Sequence, residues 1–308
     1  MAYTGTPAVT SNYAGQAAGF YISAALNEAK SLEGLTMLEN IKFKENIQRM
    51  EGASLVANAT CDFTDAGTLT MTEKVLEPEN LQINVDLCKG KLLSSWEAAQ
   101  MKAGQWNQTA PTFDEYVISY FSSIIADGVE NSVWNGTGTG GGAVSGEFDG
   151  FQTATVGAFA TDGNVVASSA SGAYTAVNII ANLQTLVGDI PAAVYGKSDL
   201  TIYMNMATWQ VYVGAISTLG YVNLYNMNGD FKPLFEGINI QGCPGMANNT
   251  MVAAQKSNMF FGTDLFSDTT FIKMLDMNEL DGSDNLRVVA KYSAGVQCGV
   301  GADIVEQT

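Results

Sequence analysis

From residue 112 to residue 134 the apolar side chains Phe113, Val117, Tyr120, Phe121, Ile124, Ile125 and Val129 recur at steps of three and four. That spacing puts them on one stripe of a helix about 33 Å long. Thr112 and Glu115 read as the two ends of a capping box, and Asn135 followed by Gly136 supplies the stop. Gly128, inside the helix, costs about 1 kcal/mol relative to alanine, so packing must hold this segment together. A glycine-rich run, NGTGTGGG, follows at once.

Helical spacing also predicts helices over 91–102, over 174–187 (Val177, Ile180, Leu183 and Val187, stopped by Gly188) and over 207–216, which carries Trp209. Alternating or β-branched runs predict strands at 54–60, 68–75, 81–87, 200–204, 238–241, 251–254, 259–262, 269–277 and 286–297. The first two flank the turn cluster CDFTDAG, and their half-polar pattern suits a hairpin or ribbon with little core of its own. Residues 81–87, LQINVDL, alternate cleanly, as a strand on a main body does. Low charge and abundant Ala, Ser, Thr and Gly make 153–172 an extended connection, and 221–235 reads as a polar-aromatic loop. Helices interleaved with strands predict an α+β fold, with 173–262 forming a compact subdomain.

The first 27 residues hold no charged side chain. They read as an extended arm, helical over 17–31, that is either frayed or laid on another surface. Across 308 residues, 46% are hydrophobic and only 15% charged, against the usual quarter. The net charge of −17 argues against a nucleic-acid reader, which needs a basic footprint. Residues 1–110 carry 8 basic and 12 acidic groups, whereas 111–308 carry 6 and 19. This asymmetry fits either ordinary solubility or an early segment that pairs with acidic surfaces of neighbouring subunits. Lys42, Lys44 and Arg49 form a short basic patch, for which a solvated face is the simpler reading.

The search for chemistry returns negatives. Cys61, Cys88, Cys243 and Cys298 are far apart and there is no histidine, so a zinc site is not indicated; the cysteines read as reduced core residues. The N-terminus has no secretory signal, and no apolar stretch reaches 18 residues. The Asn-x-Ser/Thr matches at Asn58, Asn107, Asn135 and Asn248 are therefore chance. The glycine run lacks the Gly-Lys-Ser/Thr ending of a phosphate loop and follows a helix. No GxSxG elbow is present, and no histidine could activate a nucleophile. Paired carboxylates leave a glycosidase open without singling out a pair. Residues 276–285, DMNELDGSDN, miss calcium-loop spacing at Leu280, and a hairpin turn is the better reading. No cofactor is implied.

The helix at 112–134, the glycine run and GEFDGFQT after it resemble the spine helix and following segment of tailed-bacteriophage major capsid proteins with the Hong Kong 97 type fold. LTIYMNMATWQVYV is similar to the strand, Asn/Pro, Trp and helix of that family's axial domain. INIQGCPGM resembles its Gly-x-Pro-Val segment, and FFGTDLFSDTTFIKML with NLRVVAKYSAGVQCGVGADIVEQ its closing strands. The resemblance covers nearly the whole chain, and order and spacing carry it. It implies an N-terminal arm at 1–41, an extended hairpin loop at 42–86, a peripheral domain at 87–165 with 265–308, and an axial domain at 166–264.

The implied function is mechanical: pentamers and hexamers of an icosahedral head, in the virion, assembled in the host cytoplasm around DNA. The implied partners are further copies of the chain and scaffolding, portal and decoration proteins, with no membrane and no catalysis. Lys42, Lys44, Arg49, Asp62, Asp65, Lys74, Tyr221, Tyr225, Asp230 and Lys232 are the expected assembly residues. Some family members cross-link a loop lysine to a partner asparagine; Lys74 and Asn285 are nominal candidates that no motif supports. The chain starts at Met1 with the arm and shows no long helical scaffolding segment, so a separate scaffold or a processed precursor is expected. The alternatives are an encapsulin-type nanocompartment shell, which shares the fold, and an acidic soluble hydrolase.

Overall fold

A computed structural model describes residues 29–53, 55–56, 58–59, 61–62, 67–88, 111–138, 147–170, 172–218, 234–264, 271–278, 280 and 282–308, with the backbone alone at 111–119, 218 and 271–272. Residues 1–28 of the expected arm, the helix at 91–102, the side chains of the capping box, the second half of the glycine run and most of the loop at 221–235 lie outside the described residues. The chain divides into two compact units, and α1 (Pro111–Asn135) and β12 (Asn285–Cys298) each run from one into the other.

The described parts of one unit are residues 81–88, 111–125, 271–278, 280 and 282–292. In β4 (Glu79–Cys88) the odd positions Leu81, Ile83, Val85 and Leu87 are half-buried and the even ones exposed, the period-two pattern of a strand with one covered face. Ile83, Val85 and Leu87, with Ile124 and Met274, pack around the buried Phe121, Leu286 and Val288. β11 (Phe271–Asp276) pairs antiparallel with the first half of β12, from Phe271–Lys291 to Asp276–Leu286. Met277 N–H donates to Asn285 O at 3.0 Å and Asn278 N–H to Asp276 Oδ1 at 3.0 Å, which makes the connection the expected hairpin.

The other unit, Asn27–Asn80, Ala126–Phe266 and Ser293–Thr308, holds most of the core. Its larger sheet runs β5 (Val166–Ser168), β13 (Val305–Gln307), β9 (Met251–Gln255), β6 (Leu200–Met204), β8 (Ile238–Gly242), β7 (Leu234–Phe235). Helices α3 (Ile179–Gly188) and α4 (Met206–Thr218) cover it, burying Leu183, Leu186, Ile202, Met204 and Met251 in one cluster. Asn205 starts α4: its Oδ1 accepts Ala207 N–H at 2.7 Å while its amide nitrogen donates to Pro244 O at 3.3 Å. β1 (Thr36–Leu38) pairs parallel with β10 (Met259–Gly262), which pairs antiparallel with the second half of β12.

Several expectations need correction. The first ribbon strand is β2 (Glu45–Ala53), not 54–60; it pairs with β3 (Thr68–Leu76) from Glu45–Leu76 to Ala53–Thr68. Both strands are largely exposed, so no burial pattern marked the first one in the sequence. Helix α3 starts at Ile179, because Asn178 Oδ1 accepts Thr175 N–H at 2.7 Å and its Nδ2 donates to Ala173 O at 2.9 Å, forming a turn over 173–178. The segment 153–172 holds a short helix α2 (Ala158–Asp162) and β5. Cys243 and Cys298 are buried thiols, but Cys61 and Cys88 are exposed, in the ribbon's connecting segment and at the end of β4.

Candidate assembly surfaces

The β2–β3 ribbon is the most exposed pair of strands described. Met50, Leu69 and Met71 are 61%, 58% and 62% exposed, and Phe43, Leu55 and Val56 beside them are exposed too. Apolar groups clustered in this way on a two-stranded ribbon have no core of their own to enter, and such patches mark contact sites. At its root the ribbon is seated firmly. Leu76 is fully buried over Gly262, where an added Cβ would stand 2.8 Å from Leu76 Cδ2, and Gln297 Nε2 donates to Val75 O at 3.0 Å.

Lys74, also at the root, donates to Asp162 at the end of α2, and its Nζ lies 3.6 Å from Cys298 Sγ. The Asp162 carboxylate further accepts Gly301 N–H at 3.0 Å and Asn164 Nδ2–H at 3.1 Å. Burial alone would raise its pKa, but Lys74 and these donors hold it below the ordinary carboxylate range. Burial pushes the Cys298 thiol up, which leaves it protonated and unreactive.

A second polar knot holds α1. Glu130 is fully buried, and its carboxylate accepts Ser31 N–H at 2.9 Å, Ser31 Oγ–H at 2.6 Å and Gly245 N–H at 3.2 Å. Ser31 Oγ in turn accepts Trp134 Nε1–H at 2.6 Å, and Asn135 Nδ2 donates to Gly245 O at 2.6 Å. Burial raises the Glu130 pKa against the pull of these donors. A Cβ at Gly245 would stand 2.1 Å from Glu130 O, so the turn can approach the helix only as glycine. At Gly128 an added Cβ would meet the carboxylate tip of Glu147 at 2.3 Å, so a larger residue there requires that flexible side chain to move.

Of the residues expected at interfaces, Lys42 pairs with Asp264 at 2.5 Å, Lys44 with Glu77 at 2.7 Å, and Arg49 with Glu51 of the same strand. Lys74 is engaged by Asp162, and Asp62 is exposed beside Cys61. Asp65, Tyr221, Tyr225, Asp230 and Lys232 lie outside the described residues. Asn285 opens β12 and is half-buried. Sequence reasoning missed Asp162, Ser31 and Glu130. The available signal for the last was a carboxylate four residues before Trp134, hence on the same helix face. Among the described residues no helix is long and apolar enough to cross a membrane.

No protein-family profile matches the chain, and no curated protein sequence does. Solved structures do. A chain from the capsid of Myoviridae phage XM1 is 12% identical with a TM-score of 0.59, covering 99% of this chain and 99% of its own. One from the capsid of an empty GTA particle is 13% identical at 0.58, covering 98% and 94%, and one from Mycobacterium phage Che8 is 12% identical at 0.53, covering 100% and 98%. Sequence identity this low speaks to architecture alone, and the architecture is shared from end to end: this chain has the mixed helix-and-strand fold of phage capsid proteins.

Proposed function

We propose that this chain is the major capsid protein of a tailed double-stranded DNA bacteriophage. Its subunits form the pentamers and hexamers of an icosahedral head that encloses the genome. The observation that carries this reading is the near-complete coverage, in both directions, between this chain and chains taken from capsid particles. In this reading α1 is the spine helix of a Hong Kong 97 type fold and 1–41 the arm. The ribbon belongs to the extended loop at 42–86, residues 166–264 form the axial domain, and 87–165 with 265–308 the peripheral domain. The expected partners are further copies of the chain and scaffolding, portal and decoration proteins.

The role is structural, with no reaction to catalyse. A net charge of −17 suits a shell wall that must not trap the packaged DNA. Low overall charge and an exposed apolar ribbon suit a subunit whose surface is covered by copies of itself. Negative-stain microscopy with light scattering on the purified chain tests the proposal. Closed shells or ring-shaped capsomers are expected, with a shell diameter that separates a phage head from a small nanocompartment. A stable 32.6 kDa monomer at high concentration, unchanged by a scaffold, would sink it.

A further inference from the structure

Side chains alternate along β13. Val305 and Gln307 turn into the core beneath α3, where Gln307 Nε2 donates to Ser168 Oγ, Ser169 O and Asn182 O. Glu306 therefore turns to the other face of the sheet, in line with its cross-strand neighbours Ala167 and Val252 and, beyond Val252, Tyr203. An aromatic layer closes that face: Trp134 packs on Tyr203 and Phe151, and Phe151 on Phe159. Gln152 follows Phe151 and is fixed to the end of α1 by its N–H, which donates to Trp134 O at 2.9 Å. Its side-chain Nε2 donates to Glu306 Oε1 at 2.8 Å, while its Oε1 is buried and receives no donor among the described residues.

A buried acceptor left empty beside a carboxyl group calls for a proton. A carboxylate can only accept, whereas the acid has one O–H to give. With that proton in place, the amide N–H reaches one carboxyl oxygen and the acid O–H reaches the amide oxygen, and both groups are satisfied. Turning the amide over does not remove the need, because its oxygen would then face Glu306 Oε1, and two acceptors cannot meet without a proton. Nothing nearby compensates an anion. Residues 111–135, 147–170, 200–204, 251–255 and 299–308, which hold the elements around this face, contain no Lys or Arg. Their titratable groups toward this end are Glu130, Glu147, Asp149, Asp162, Tyr203 and Asp303. Tyr203 donates to Gly34 O, Glu130 is held by Ser31 and Gly245, and Asp162 is paired with Lys74 of β3. Burial raises the Glu306 pKa against the pull of the Gln152 bond.

We infer that Glu306 and Gln152 form a proton-operated latch, closed while the carboxyl group is neutral, that ties the last strand of the chain to the end of α1. The latch stands on this fold alone and does not need the capsid reading. On ionisation the acid O–H bond is lost, Gln152 Oε1 is stranded, and β13 is held on this side by one bond to an uncompensated charge. The folded pKa is raised, so the contribution of the latch is fully present below the unfolded value of about 4.3 and is lost as pH rises through the folded one.

Two measurements on the full chain test the latch. Carbon-13 NMR of labelled glutamate carboxyls, with Glu306 assigned by its loss in Glu306→Gln, follows the proton. Hydrogen exchange of the peptide 299–308, corrected for the intrinsic pH dependence of exchange, follows the strand. Glu306 titrates above the ordinary value of about 4.3. Across that titration the Glu306 and Gln307 amides come to exchange about tenfold faster. Glu306→Gln keeps both bonds as an amide–amide pair, so its corrected exchange is slow and flat with pH. A Glu306 carboxyl that titrates at the ordinary value overturns the latch. So does parent exchange that stays flat across the titration, a reading that needs no variant, and so does a Glu306→Gln chain whose exchange follows pH as the parent's does.

Discussion

In the six-stranded sheet, Ile202, Met204, Met251 and Ala253 turn inward beneath α3 and α4. Even the buried amide of Gln307 is provided for, accepting from Tyr174 Oη at 3.0 Å and donating toward Ser169 O at 3.2 Å. In the β2–β3 ribbon, Met50, Met71 and Leu69 turn away from the body while threonines occupy much of the opposite face. The same residue types are thus used in opposite senses. The sheet closes its requirements within one chain, whereas the ribbon keeps apolar surface for something else to cover. The difference separates apolar surface that the chain's own fold covers from apolar surface that it leaves uncovered.

Substitutions can break that contrast, and their effects on the isolated subunit, read by denaturant titration, should fall in order. Trp134→Ala removes a fully buried indole whose ring packs, tilted, 5.7 Å from both Phe151 and Tyr203 and which donates to Ser31. It should cost about 3–5 kcal/mol. Glu130→Ala strands the Ser31 and Gly245 donors and should cost about 3 kcal/mol. Lys74→Met leaves the buried Asp162 carboxylate without its cation and should cost about 2 kcal/mol. Tyr203→Phe loses the hydroxyl that donates to Gly34 O at 2.6 Å, at about 1 kcal/mol. Met71→Ser, on the exposed face, should stay within about 0.5 kcal/mol. A Met71→Ser loss as large as that of Trp134→Ala would mean that the ribbon face belongs to the subunit's own core.

Acid sharpens the same comparison. The folded pKa of Asp162 is depressed, so its stabilisation is fully present above the unfolded carboxylate value of about 3.9 and is lost as pH falls through the folded one. Glu130 runs the other way: its folded pKa is raised, so protonation in the window above about 4.3 favours the folded state. Asp162→Asn should therefore flatten the loss of stability below about pH 4, and Glu130→Gln should abolish the gain above it. Thermal melts of the subunit between pH 7 and pH 3 distinguish the two. Identical profiles for all three proteins would remove both assignments.

What the sequence disclosed follows the burial of each element. Helix α1 and strands β4, β8 and β12 were legible because one covered face imprints a 3.6 or 2.0 period, and β6, β9 and β10 because burial of both faces leaves a short continuous apolar run. Strand β2, ENIQRMEGA, was not, because its apolar Ile47 and Met50 stand on opposite faces and nothing covers the second. The turn over 173–178 was read as helix because Val177 continues the helical spacing, although it is 94% exposed. Neither polar knot could be read from local pattern. Ser31 and Glu130 are 99 residues apart, and Lys74 and Asp162 are 88. Only the fold brings them together.

Strand β13 lies between β5 and β9, pairing Val305 with Val166 on one side and with Ala253 on the other. During synthesis, these neighbours leave the ribosome well before the strand that joins them. Until residues 305–307 emerge, β5 and β9 present open edges, and the buried partners of Gln307 wait in water. The sheet therefore closes only once its latest strand arrives, and a product truncated before residue 305 lacks the strand that joins β5 to β9.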